Sequence, residues 1–311
     1  METRQRIGRP CRRSGSRPAS LRGVIFGVLM LAGVYTGHLP ASAGTPEPPP
    51  EDAELARLRA AVEKHPDSAT AWRELGNHYY AYHHPEEALK AWRESLRLEP
   101  EQAAVRWSIG TVYSGQDDDQ AAQHEYEAAL AIDPDHTGAL HNLGSIYRQQ
   151  GRLGEAESLL KRAAELDITN FWPLGNVYAD QGRWEEAVAA YERSQAHDGW
   201  SLYGVALLNA DLGKAQFELG RDGDATRSLQ ESLDAFRSLE RHPAVRGANS
   251  RRMAEVAYLL ARVTARGGDP QKALGHLRLA LVYHPELRDQ AAVEDDLEAV
   301  RQLPEAADLD L

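Results

Sequence analysis

One arrangement of large, small and turn residues returns along this chain at a spacing of 34. It reads Trp72, Leu75-Gly76, Tyr79, Ala88, Trp92 and Pro100, then Ile109-Gly110, Tyr113, Ala122, Tyr126, Ala129 and Pro134. A third copy reads Leu140, Leu143-Gly144, Tyr147, Ala156, Leu160 and Ala163. A unit of this length is a pair of helices joined by a turn, too small to bury its own apolar stripes. Neighbouring units must therefore stack, and the result is an all-α solenoid. Such stacks characteristically bind rather than catalyse.

The residue types explain the packing. Gly76, Gly110 and Gly144, with Ala88, Ala122 and Ala156, remove bulk where the two helices of a unit approach. Trp72, Leu75 and Tyr79, three and four residues apart, share one helix face. Pro100 and Pro134 end the second helix of their units.

Six units fit, beginning near Ala69, Ala103, Thr137, Ile168, Ala206 and Ala254 and spanning 69–102, 103–136, 137–167, 168–205, 206–253 and 254–287. The fourth, with Phe171, Leu174-Gly175, Tyr178, Ala187 and Tyr191, starts three residues early because the loop after Leu166 is short. The fifth keeps Leu212-Gly213, Ala225 and Leu229 but has Gln216 at the aromatic position; the sixth has Ala261 at the glycine position. About 14 residues beyond the usual spacing lie around 236–251, including His242-Pro243, and are expected to lengthen the fifth hairpin. Residues 54–62 read as a lone second helix closing one end, and 286–301 as a charged capping helix. The solenoid is thus expected over 53–303, with a tail at 304–311.

The first 43 residues differ in kind. Seven arginines between Arg4 and Arg22 precede the apolar run from Gly23 to Tyr35, and Ala41-Ser42-Ala43 follows. A basic start, an apolar stretch and an Ala-x-Ala exit form a secretory signal, with cleavage expected after Ala43. The alternative is an uncleaved N-terminal anchor. Only 15 uncharged residues separate Arg22 from His38, fewer than the roughly 20 of a membrane-spanning helix. Residues 44–52, with Pro48-Pro49-Pro50, read as a stiff extended linker. The expected location is periplasmic or extracellular, or membrane-anchored if the signal is retained.

Net charge is −12 for the whole chain. Without the first 43 residues, 28 basic residues face 46 acidic ones, a charge of −18. A body this acidic repels phosphate backbones, which argues against nucleic acid. Cys11 is the single cysteine and falls within the signal, so thiolate chemistry and disulfides are not expected in the mature protein.

No phosphate loop, nucleophile elbow or zinc-protease pair occurs. His78, His83 and His84 are read as surface histidines, leaving no metal or cofactor expected. Asp117-Asp118-Asp119 is read as a solvated turn that starts a helix.

In its 34-residue grammar the chain resembles tetratricopeptide-repeat proteins. The resemblance implies a right-handed superhelix whose first helices line a concave face. Residues one and five positions after the Trp72 equivalent are then expected to face a partner: Arg73 and Asn77, Trp107 and Thr111, His141 and Ser145, Trp172 and Asn176, Ala210 and Lys214, Tyr258 and Arg262. Tyr80, Ser114, Arg148 and Phe217 lie one turn further. Aromatic rings alternating with hydrogen-bonding groups suit an extended peptide, and the tryptophans suit a sugar ring equally well. The competing reading has Trp107 and Trp172 packing on the adjacent hairpin. Arg73 and Asn77 match half of the family's clamp for a C-terminal carboxylate, but Thr111, His141 and Ser145 replace its other residues.

The resulting expectation is a non-enzymatic scaffold or adaptor that binds a polypeptide segment in an exported or envelope assembly. A chaperone-like presenter of unfolded exported clients is the alternative, and a metal-dependent enzyme a remote one.

Overall fold

The computed structural model describes residues 53–241, 245 and 247–311. The signal-like segment, the proline-rich linker and His242-Pro243 lie outside them. Helix α1 (Ala53–Lys64) is followed by pairs α2 (Ala69–Ala81) and α3 (Pro85–Leu98), α4 (Ala103–Gly115) and α5 (Asp119–Ile132), α6 (Thr137–Gln149) and α7 (Leu153–Leu166). Then come α8 (Phe171–Asp180) and α9 (Trp184–Gln195), α10 (Leu202–Glu218) and α11 (Asp222–Glu240), α12 (Ser250–Arg266) and α13 (Pro270–Tyr283). Each helix packs on the next in sequence, and first helices also touch across units, α6 on α8, α8 on α10 and α10 on α12. No strand occurs among the described residues. The chain is therefore an all-α solenoid built from helix pairs.

All six pairs turn in the same way. The carbonyls of Tyr79, Tyr113, Tyr147, Tyr178, Gln216 and Thr264 each accept the backbone N–H five residues on, at 2.8–3.1 Å. This closure requires a left-handed residue just before the donor. The positions are His83, Asp117, Gly151, Gly182, Gly220 and Gly268, with φ between 59° and 86°. Histidine and aspartate tolerate that region better than branched residues do. In the second pair the three aspartates divide the work: Asp117 takes the left-handed turn, the Asp118 carboxylate accepts the Ala121 N–H at 3.0 Å, and Asp119 opens α5.

Within each of the first five pairs the glycine of the first helix lies under the large residue 16 positions later. A Cβ on Gly110, Gly144, Gly175 or Gly213 would stand 2.5–2.8 Å from Tyr126, Leu160, Tyr191 or Leu229. Trp92 covers Gly76 in the same way, and Trp92, Tyr126 and Tyr191 are almost wholly buried. Successive units are tied by a second recurrent contact between a second helix and the next first helix. Arg59 donates to the Tyr79 hydroxyl at 3.2 Å, Arg93 to Tyr113 at 2.6 Å, and Tyr147 donates to Glu127 at 2.9 Å. Lys161 stands 5.9 Å from the Tyr178 ring centroid at the equivalent place, shifted by the shorter unit.

Three features depart from the sequence reading. The fourth unit opens with a 3-10 turn, Ile168–Asn170, before α8. The fifth and sixth first helices begin at Leu202 and Ser250 rather than at Ala206 and Ala254; the fifth pair is lengthened as expected, α10 and α11 reaching 17 and 19 residues against 13 and 14 in the first three pairs. The Ser201 hydroxyl accepts the Gly204 N–H at 3.1 Å, starting α10 a turn earlier than the repeat requires.

The third departure is at the C-terminal end. In place of one capping helix the chain forms α14 (Leu287–Val293), a 3-10 turn (Asp295–Leu297), the short α15 (Glu298–Arg301) and a 3-10 helix (Pro304–Leu309). Glu294 is extended, with ψ 119°, and breaks the run. Residues 304–311 are part of the fold, not a free tail: Ala306 and Leu309 are buried with Leu297 and Val300. Leu303, Ala306 and Leu309 recur every three residues, the period that places side chains on one face of a 3-10 helix.

His276 on α13 shows how a second-helix contact responds to pH. Its Nε2 is buried without a hydrogen-bond partner. Burial, then Lys272 and Arg237, push its pKa below the ordinary histidine value, and Asp269 acts the other way. The unfolded chain therefore binds this proton at higher pH than the folded one. Its contribution to stability is complete above the unfolded pKa and is lost as pH falls through that value towards the folded one. Urea midpoints compared between about pH 7.5 and about pH 5.5 should fall less for His276→Gln than for the parent chain. Equal slopes would contradict the assignment.

Candidate binding face of the first-helix layer

The side chains expected to meet a partner sit on the first helices, and the structure engages most of them within the array. Three of them reach forward 29 residues to the segment that starts the next first helix. Arg73 donates to the Gln102 side chain at 3.3 Å, the Trp107 ring lies 5.5 Å from the His136 ring, and His141 Nδ1 pairs with Asn170 Oδ1 at 2.7 Å. Gln102 and Asn170 are themselves buried and bonded to backbone carbonyls of the preceding turn. These contacts set how one hairpin stacks on another.

The two asparagines serve their own hairpins. Asn77 Oδ1 accepts the Trp92 indole N–H at 3.0 Å, and Asn176 Oδ1 accepts the Tyr191 hydroxyl at 2.7 Å. Each satisfies the polar edge of a buried ring, which would otherwise be costly to desolvate. Burial raises the Tyr191 pKa far above the usual phenol value, so the hydroxyl stays a donor. Arg73 and Asn77 thus have partners other than a ligand carboxylate.

Thr111 and Ser145 hydroxyls donate to the carbonyls of Trp107 and His141, one helical turn back, at 3.0 Å each. Arg148 forms an ion pair with Asp180 of the next unit at 2.5 Å. Trp172 donates its indole N–H to Asp211 at 2.8 Å and meets Trp200 edge to face at 5.4 Å. Trp107 packs over Gly138 in the following hairpin. Both tryptophans therefore pack on the adjacent hairpin.

What stays open is a row of neutral polar groups beside the partly exposed ring of Tyr80. Tyr80 leans on Trp92 at 5.6 Å, half-buried. The Tyr126 hydroxyl gathers Asn142, at 3.1 Å, with Thr111 and Ser114 close by. Burial raises the Tyr126 pKa, and these neighbours only partly offset it. Asn142, Thr111 and Ser114 are half-buried. Among the described residues, no three histidine, cysteine or acidic side chains come together as a metal site would need. No described helix is long and apolar enough to cross a membrane.

Asp211, Trp200, Tyr126 and Asn142 were missed in the sequence. Asp211 follows the inner-row position Ala210 by one residue and crowds against Trp172 from 39 residues away. Burial raises its pKa, against the lowering effect of the Trp172 N–H, although part of its surface remains open. Trp200 lies in an irregular loop with no equivalent in other units, so the repeat carried no signal for it.

Paired helices, left-handed turns and glycine-under-ring contacts define a helical-repeat protein of the binding class. The chain is a tetratricopeptide-repeat protein: models described as tetratricopeptide repeat match residues 52–82, 69–102, 101–169 and 174–199. Solved structures share the fold. PilF from Pseudomonas aeruginosa is 18% identical, covering 80% of this chain and 98% of its own, with a TM-score of 0.53. PilW, described as a type IV pilus biogenesis factor, is 19% identical, covering 75% and 97%, with a TM-score of 0.52. YrrB, described as a TPR protein with an unusual peptide-binding site, is 21% identical, covering 58% and 93%, with a TM-score of 0.50. No curated protein matches the chain.

Proposed function

We propose that this chain is a non-enzymatic scaffold that holds an extended polypeptide segment against its first-helix layer, within an exported or cell-envelope assembly. The observation that carries the reading is the half-buried set Tyr80, Thr111, Ser114 and Asn142, the last three gathered about the hydroxyl of the buried Tyr126. It offers neutral donors and acceptors beside aromatic surface, the combination that a peptide backbone and its side chains require. YrrB is described as having a peptide-binding site, which makes peptide capture by this fold physically reasonable. Support for export comes from the N-terminal signal pattern alone.

The test is site-specific photo-crosslinking from Ser114 and, as control, from Lys90 on an exposed second-helix face. One stoichiometric polypeptide captured from Ser114 and not from Lys90 is expected. Ser114→Arg should abolish that capture while helical content is retained. Capture of many unfolded clients would favour the presenter reading, and equal yields from both positions would refute the face.

A further inference from the structure

The junction between the fourth and fifth pairs holds a cleft that the repeat does not explain. Six residues, 196–201, connect α9 to α10 and carry Trp200. Its indole N–H donates to the Ser194 carbonyl at 2.9 Å, while its ring meets Trp172 at 5.4 Å and His197 at 5.5 Å, both edge to face. Gly199 makes room for the His197 ring, since a Cβ there would lie 2.5 Å from Nε2. The Gln195 side-chain amide donates to Asn209 Oδ1 at 2.6 Å, and Asn209 is buried. Both sides of the cleft are thus held by contacts that need no ligand.

The cleft has a volume of about 300 Å³. That lies at the lower bound of small-ligand pockets, about 300 Å³, and suits one long side chain better than a cofactor. Trp200, Val205 and Leu208 line it with apolar surface, Gln195 and Asn209 with amides, His197 with its ring, and Asp198 is the one carboxylate in the lining. An acidic residue beside an indole face selects a cation whose stem is apolar. The −18 charge of the body outside the first 43 residues favours the same sign.

The geometry points to a subsite for an arginine or lysine side chain of a partner polypeptide, with its stem against Trp200, Val205 and Leu208 and its cationic head at Asp198. The assignment rests on the reading that the partner is a polypeptide, but the cleft lies at the unit junction, away from the Ser114 row.

The full chain labelled with 5-fluorotryptophan gives one fluorine signal for each of its 6 tryptophans, with Trp200→Phe identifying the one that matters. The probe is the capped peptide acetyl-Leu-Arg-Leu-amide, and its counterpart has norleucine in place of arginine. The arginine peptide should shift the Trp200 signal saturably in the millimolar range and leave Trp72 unmoved. Asp198→Asn, at an exposed position, should weaken the apparent affinity about fivefold, as expected for an exposed ion pair, and so should norleucine. Ser114→Arg should leave this titration unchanged, so failure of the groove reading is separable from failure of the cleft. No Trp200 shift, an equal response to norleucine, or an unchanged affinity in Asp198→Asn would overturn the assignment. It would also fall if replacing the arginines of residues 1–22 by serine moved the Trp200 signal without peptide. The occupant would then be the chain's own N-terminal segment.

Discussion

Replacing Trp92 by alanine is expected to lower the stability of the array by about 3–5 kcal/mol, the range for emptying a buried aromatic site. Trp92 is 1% exposed, lies across Gly76, supports Tyr80 and donates to Asn77. Removing it leaves a cavity between α2 and α3 that neither helix can close, because Gly76 contributes no side chain and Ala88 is already buried at the interface. It also leaves Asn77 without its donor. The control is Trp72→Ala. Trp72 is half-buried and its indole N–H donates to the Pro66 carbonyl at 2.9 Å, at the edge of the stack. It should cost less than half as much. Urea unfolding followed by circular dichroism checks both, and equal midpoints for the two variants would refute the glycine-under-ring account.

The second large effect is expected from deleting residues 294–311. Leu297 and Val300 are 0% exposed and Leu309 9%, and each buried aliphatic side chain contributes about 1.5–3 kcal/mol. Arg262 would lose Glu294, at 2.9 Å, and Asp296, at 2.8 Å. Arg278 would lose its bond to Asp308, also at 2.9 Å. The burial terms alone suggest a loss of about 5–9 kcal/mol, concentrated at one end because each unit of a solenoid contacts mainly its neighbours. Hydrogen exchange should then show α12 and α13 losing protection while α2 to α7 keep theirs. Unchanged protection in α12 and α13 would show that the C-terminal segments add nothing to the stack.

The C-terminal segments also show why some of the fold escaped the sequence. Residues 286–301 carry enough charge and helix formers to read as one helix, and nothing local announces that Glu294 turns the chain. The turn follows from tertiary contacts, in which Arg262 draws Glu294 and Asp296 onto α12. The early starts of α10 and α12 have the same character, because a weakened repeat fixes helix boundaries less tightly than an intact one.

The candidate face was legible in a limited sense. The repeat placed Arg73, Asn77, Trp107, His141, Trp172 and Asn176 on the first helices, but it could not show how each side chain is used. Asn77 and Asn176 go to the polar edges of Trp92 and Tyr191 in their own hairpins. His141 goes to Asn170, and Trp172 to Asp211 in the next unit. Those choices depend on the offset between stacked hairpins, which a single-unit grammar does not encode. Trp200 lies outside the grammar altogether.

The period, the helix pairs, the small residues under large rings and the acidic balance could all be read from the chain's residues in order. These are local or periodic properties, carried by residue size and spacing. The tertiary structure decided which polar side chains are spent between units and which remain open. It also decided that the irregular loop at 196–201 builds a cleft and that residues 304–309 belong to the core. Both outcomes depend on contacts between residues far apart in sequence, where hydrogen-bond satisfaction and close packing select among conformations that the local sequence leaves nearly equal.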